Sequence, residues 1–131
     1  MKKLGLFVAV FAAFLLMSFE ASAQVKTRVR FPAGTHGTSV SGTVRGYAYH
    51  DYVVGAAAGQ TMDLKLTGSG TATVFSVFLP NGDNLDSATE ADDFSGALPV
   101  RGDYVIRVLM MRSEARRKGS ISNYKLRISI K

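Results

Sequence analysis

The groups in this chain able to do chemistry are few, and their spacing limits what they can do. His36 and His50 are its two histidines, and cysteine is absent. His36 lies between Gly34 and Gly37 in a glycine-rich stretch, and His50 sits beside Asp51. Neither belongs to a nucleophile motif, so both read as surface or loop histidines rather than general bases. Asp92-Asp93 would supply paired carboxylates, but adjacent acids in a polar stretch read as solvated side chains. Asn81-Gly82-Asp83-Asn84-Leu85-Asp86 offers oxygens to a calcium ion without the spacing of an EF-hand loop, and reads as an Asx-rich turn. Arg101-Gly102-Asp103 spells an adhesion tripeptide but stands just before an apolar strand pattern, as a turn would. Without thiols, zinc sites of the usual Cys-rich kind are excluded, and so are disulfides. The reading is a protein that is not an enzyme and needs no cofactor and no metal.

Arginine and tyrosine remain. In Arg112-Ser113-Glu114-Ala115-Arg116-Arg117-Lys118-Gly119 good helix formers follow one another, with Ser113 as a candidate cap and Gly119 as a stop. A helical turn would put Arg112 and Arg116 on one face and pair Glu114 with Lys118. Such a run on its own is consistent with a solvated basic surface. Tyr47, Tyr49 and Tyr52 form a second cluster. Tyr47 and Tyr49 share parity in a regular strand and Tyr52 opposes them, so at least one of the three packs inside.

The compartment is set by the first residues. Lys2 and Lys3 precede an apolar run from Leu4 to Met17, and Ala21-Ser22-Ala23 follows with small residues. Those parts make a secretory signal peptide over residues 1–23, with cleavage expected after Ala23. The run is short for a membrane span, so no membrane association is expected after cleavage. Of the formal net charge of +6, Lys2, Lys3 and Glu20 contribute +1, which leaves +5 on the 108 residues from 24 to 131. That length suits a single domain with one core. The moderate positive charge favours an acidic partner. Export and the lack of any recognised module argue against nucleic acid. The protein is expected to be periplasmic or secreted.

Apolar residues recur with period two through most of the remaining chain, which is the strand signal. Val25 to Phe31 alternates and stops at Pro32. Val40 and Val44 mark a second strand continuing toward Tyr47-Ala48-Tyr49, and Asp51 to Val54 a third. Met62-Asp63-Leu64-Lys65-Leu66 alternates between the turns at Gly59-Gln60 and Gly68-Ser69-Gly70. Thr73 to Leu79 is nearly continuous apolar sequence and reads as a central strand, and Leu85 to Leu98 reads as polar and irregular. Two long strands close the chain. Tyr104, Ile106, Val108 and Met110 share one face with Arg107 opposite, and Tyr124, Leu126, Ile128 and Ile130 alternate with polar residues. The predicted fold is all-β, an antiparallel β-sandwich with one short helical turn before the last strand.

Two of these blocks are recognisable together. Gly102 to Lys118 resembles the C-terminal signature of periplasmic inhibitors of goose-type (g-type) lysozyme: a glycine turn, a tyrosine-bearing strand ending in Arg-Val-Leu, then Arg-x-x-Ala-Arg-Lys. Ser41-Gly42-Thr43-Val44-Arg45-Gly46-Tyr47-Ala48-Tyr49 with Tyr52 resembles the family's Ser-Gly-x-x-x-Gly-Tyr-x-Tyr-x-x-Tyr block. The final strand, Asn123 to Lys131, is similar as well. Met110 and Met111 stand where the pattern has more polar residues, and the stretch from Ser69 to Asp93 carries little of it. The resemblance implies g-type lysozyme as the partner and Tyr47, Arg112 and Arg116 as lysozyme-binding residues that block an acidic active-site cleft. The wider resemblance to prepeptidase C-terminal β-sandwich domains implies an alternative, a non-catalytic module that binds cell-wall polymer or another exported protein.

Overall fold

The computed structural model describes residues 24–68 and 72–131. The signal peptide expected over residues 1–23 lies outside the described residues, as do Ser69 and Gly70 of an expected turn. The strands are β1 (Gln24–Arg28), β2 (Gly37–Arg45), β3 (Tyr49–Ala56), β4 (Thr61–Gly68), β5 (Thr73–Phe78), β6 (Asp93–Ala97), β7 (Gly102–Met110) and β8 (Ile121–Ile130). One helical turn, α1 (Arg112–Ala115), joins β7 to β8. The strands form two four-stranded sheets, ordered β1-β3-β7-β5 and β2-β8-β4-β6. The result is an all-β sandwich, as the alternation predicts.

Alternation builds the core directly. Tyr104, Ile106, Val108 and Met110 of β7 are buried, as are Tyr124, Leu126, Ile128 and Ile130 of β8. These two strands lie at the centre of opposite sheets and supply much of the packing between them. Each such aliphatic side chain removed from water stabilises the fold by about 1.5–3 kcal/mol. Tyr52 of β3 and Tyr124 of β8 meet across the sandwich, with their hydroxyls 2.6 Å apart in a buried hydrogen bond. Their rings pack edge to face at 6.4 Å. Gly42 on β2 leaves room for this pair, since a Cβ there would stand 2.5 Å from the Tyr124 hydroxyl.

Several elements differ from the sequence expectations. β1 runs parallel to β3, while the other strand pairings are antiparallel. β5 is an edge strand by sheet order, not a central one. Its continuous apolar run is explained by the segment beyond it, which bridges Phe75 to Ala91 and Phe78 to Asn84 and covers the open edge. The stretch from Leu85 to Leu98 is not irregular throughout: it holds a short 3-10 turn at Asp86–Ala88 and all of β6, whose Phe94 is buried. Polar residues on the outward face of β6 mask its strand pattern.

His50 is also not a surface loop residue. It lies on β3, stacks on Tyr52 with ring centroids 4.2 Å apart, and hydrogen-bonds Thr27 through Nε2 at 2.9 Å. Burial holds its imidazole pKa below the ordinary value, against the opposing pull of Asp51. The Asx turn at Asn81 is present, with the Asp83 N–H donating to Asn81 Oδ1 at 3.0 Å.

Candidate functional site

α1 follows β7 without a break because β7 ends at Met110 and the next residues favour helix. Met111, not Ser113, occupies the cap position, and no side chain caps the turn. The Met111 carbonyl instead accepts the N–H of Glu114 at 3.0 Å and of Ala115 at 2.8 Å. Arg116 N–H donates to the Arg112 carbonyl at 3.1 Å, so the two arginines are four apart on one helical turn, as expected. Ala115, buried, pins the turn to the core, while Arg112 and Arg116 are exposed. Glu114 pairs with Arg117 at 3.4 Å rather than with Lys118. Gly119 ends the segment at a φ of +76°, where a glycine is favoured.

Tyr47 is not on a strand. It occupies a turn between β2 and β3, closed by the Ala48 N–H donating to the Arg45 carbonyl at 3.0 Å. Gly46 takes the first central position with a φ of +54°, the arrangement of a type II′ turn. The parity shared by Tyr47 and Tyr49 therefore has no structural meaning, because the turn interrupts the strand between them. Tyr49 stays on β3, where its ring lies 4.0 Å from the guanidinium carbon of Arg107.

The turn at Tyr47 is fixed against the arginine segment. Gly46 N–H donates to the Ser120 carbonyl at 3.1 Å, and Ser120 Oγ donates to the Ala115 carbonyl at 3.2 Å. A Cβ placed on Gly46 would lie 3.7 Å from that same Ala115 carbonyl. Tyr47, Arg112 and Arg116 are thus gathered at one end of the sandwich, although about 65 residues separate them in the chain. Neither arginine is held in an ion pair among the described residues. Two free guanidinium groups beside an exposed phenol can take carboxylates in bidentate fashion and offer apolar area next to them.

Two further charged groups noted in the sequence, Asp103 and Arg107, have structural partners. The Arg-Gly-Asp tripeptide is not a free turn: Gly102 and Asp103 already belong to β7, and Asp103 is bound by Arg28 of β1 through two hydrogen bonds of 2.8 and 2.9 Å. Arg107 grips Asp51 on the neighbouring strand through Nε at 2.8 Å and a terminal nitrogen at 3.0 Å. Sequence reasoning missed this second pair. Its signal was two opposite charges on the outward parity of strands that turn out to be neighbours. Among the described residues no three acids or histidines converge as metal ligands. No helix among the described residues is long and apolar enough to cross a membrane.

No protein-family model matches the chain. The inhibitor of g-type lysozyme of Escherichia coli (strain K12) is 31% identical over 126 residues, spanning 94% of this chain and 94% of that protein. The chain belongs to the family of g-type lysozyme inhibitors. Solved inhibitors of this family share its fold. PliG of Aeromonas hydrophila, a periplasmic lysozyme inhibitor of g-type lysozyme, superposes with a TM-score of 0.74 at 32% identity, covering 82% of this chain and 97% of that one. The Salmonella Typhimurium PliG gives 0.69 at 28% identity, over 81% and 97%. The pre-peptidase C-terminal domain of a Bacillus anthracis collagenase gives 0.52 at 12% identity, over 81% and 94%, a likeness of fold alone.

Proposed function

We propose that this protein is a periplasmic inhibitor of g-type lysozyme that occludes the enzyme's active-site cleft with Tyr47, Arg112 and Arg116. Residues 1–23 direct export and are removed, and residues 24–131 form the inhibitor domain. A glycosidase cleft holds carboxylic groups, including a general acid whose pKa is raised by its surroundings. A guanidinium brought against such a group favours its ionised form, so the acid loses the proton it must donate. The same contact excludes substrate. Tyr47 packs at the rim with a phenol that loses little entropy on binding.

The observation that carries this reading is the docking of the Tyr47 turn onto the arginine segment, which presents all three side chains outward from one end. The accessory-module alternative calls for an exposed aromatic stripe. Among the described residues Tyr47 is the single large aromatic side chain that is well exposed, which favours the inhibitor. The test is lysis of peptidoglycan by a g-type lysozyme with and without the purified mature protein, with a chicken-type lysozyme alongside. Selective loss of g-type activity is expected. Undiminished lysis in the presence of folded protein would refute the proposal.

A further inference from the structure

Five large apolar side chains are exposed among the described residues: Val25, Tyr47, Val100, Met111 and Ile121. Single exposed apolar residues are ordinary and need no explanation. Three of these five, however, surround the arginine turn. Met111 immediately precedes α1 and is 39% exposed, Ile121 opens β8 just after Ser120 and is 47% exposed, and Tyr47 is 66% exposed.

Backbone ties hold the three together. The Met111 carbonyl accepts the Ala115 N–H, the Gly46 N–H is bonded to Ser120, and Ile121 is the direct register partner of Arg45, two residues before Tyr47. Met111 continues from the end of β7 in one sheet, and Ile121 begins β8 in the other. The two therefore flank the arginine turn from opposite sheets, which lie about 10 Å apart. Arg45 adds a further exposed cation in no ion pair among the described residues.

We infer that Met111 and Ile121 are binding residues for g-type lysozyme, forming with Tyr47 an apolar rim around Arg112 and Arg116 while Arg45 extends the cationic side. The inference rests on the lysozyme-binding reading of Tyr47 and the two arginines. The occupant is fixed by chemistry: carboxylates opposite the guanidinium groups, with apolar wall around them, as an acidic glycan-cleaving cleft provides. An apolar rim that excludes water strengthens the charge-assisted bonds inside it. The two sets of residues differ in one respect: the arginines carry the salt dependence of association and, once paired with carboxylates, also slow dissociation, whereas the apolar rim acts on dissociation alone.

The experiment measures association and dissociation of a g-type lysozyme at low and physiological salt, with thermal melting as the check on folding. The variants are Met111→Gln, Ile121→Thr and the double variant, with Arg116→Ala beside them. Gln keeps the length of the Met side chain, and Thr keeps the β-branch suited to a strand. Val100→Ser is the control, because Val100 lies before the other end of β7, about 30 Å from the arginine turn. Met111→Gln and Ile121→Thr should each weaken binding about fivefold or more, chiefly through faster dissociation, with the salt dependence unchanged. Val100→Ser should bind as the parent does. Parental dissociation rates for both rim variants, with Arg116→Ala impaired, would overturn the rim and leave the arginine reading standing. If Arg116→Ala also binds as the parent does, or the parent does not bind at all, both readings fall.

Discussion

Replacing Arg116 by alanine tests binding with little expected effect on folding. The side chain is exposed and in no ion pair among the described residues, and the fold uses only its backbone N–H, bonded to the Arg112 carbonyl at 3.1 Å. Alanine keeps that bond and is the better helix former. The expected change in folding stability is within about 0.5 kcal/mol in either direction. Binding should respond quite differently. If the guanidinium enters the cleft and meets a carboxylate away from water, its removal leaves that acid buried without its partner, at a cost of about 2–5 kcal/mol. That corresponds to a dissociation constant raised roughly 30- to 5000-fold, mostly through the off-rate. A contact at the wetted edge would cost under about 1 kcal/mol. The assay pairs urea unfolding with lysis inhibition titrated against a fixed amount of g-type lysozyme. Unchanged inhibition by a variant with parental unfolding behaviour would refute the assignment of Arg116 to the cleft.

Three further outcomes follow from the packing. Tyr52→Phe strands the buried Tyr124 hydroxyl that now bonds to it at 2.6 Å, so unfolding free energy should drop by about 1–3 kcal/mol in urea titrations; a loss under about 0.5 kcal/mol would remove this bond from the forces joining the sheets. His50, whose pKa burial holds below 6.5, takes up a proton more readily in the unfolded chain, so stability should fall as pH descends below about 6.5 and show no His50-dependent slope above it. His50→Gln should flatten that part of the melting-temperature profile, and an unaltered slope would assign the pH dependence elsewhere. Gly46→Ala makes only an ordinary 3.7 Å contact with the Ala115 carbonyl but must hold a φ of +54°, so a cost of about 1–2 kcal/mol is expected together with weaker inhibition as the Tyr47 turn shifts; full inhibition from this variant would show that the turn's geometry is immaterial to binding.

Much of the fold was legible because a strand with one buried face writes its period into the chain. The alternation in β7 and β8 named the buried residues correctly, and Gly119 stopped the helical turn where its positive φ requires a glycine. Where a face is not buried the pattern fails, and β6 was read as irregular because only Phe94 of its side chains is buried. Continuous apolar sequence in β5 reported burial on both faces but not its source, which is a covering segment rather than a second long strand.

For the proposed site, residue types and spacing put Arg112 and Arg116 on one helical face, a pattern equally consistent with a solvated basic surface. The family resemblance within the sequence singled out both arginines and Tyr47. Only the tertiary structure decided that Tyr47 leaves the strand for a turn, that this turn is hydrogen-bonded to Ser120 in the segment between the arginine helix and β8, and that Met111 and Ile121 stand exposed on either side. Periodicity fixes which way a side chain points relative to its own strand. Which strands become neighbours, and which loops therefore meet at one end, depends on contacts between residues tens of positions apart, and no local pattern encodes those.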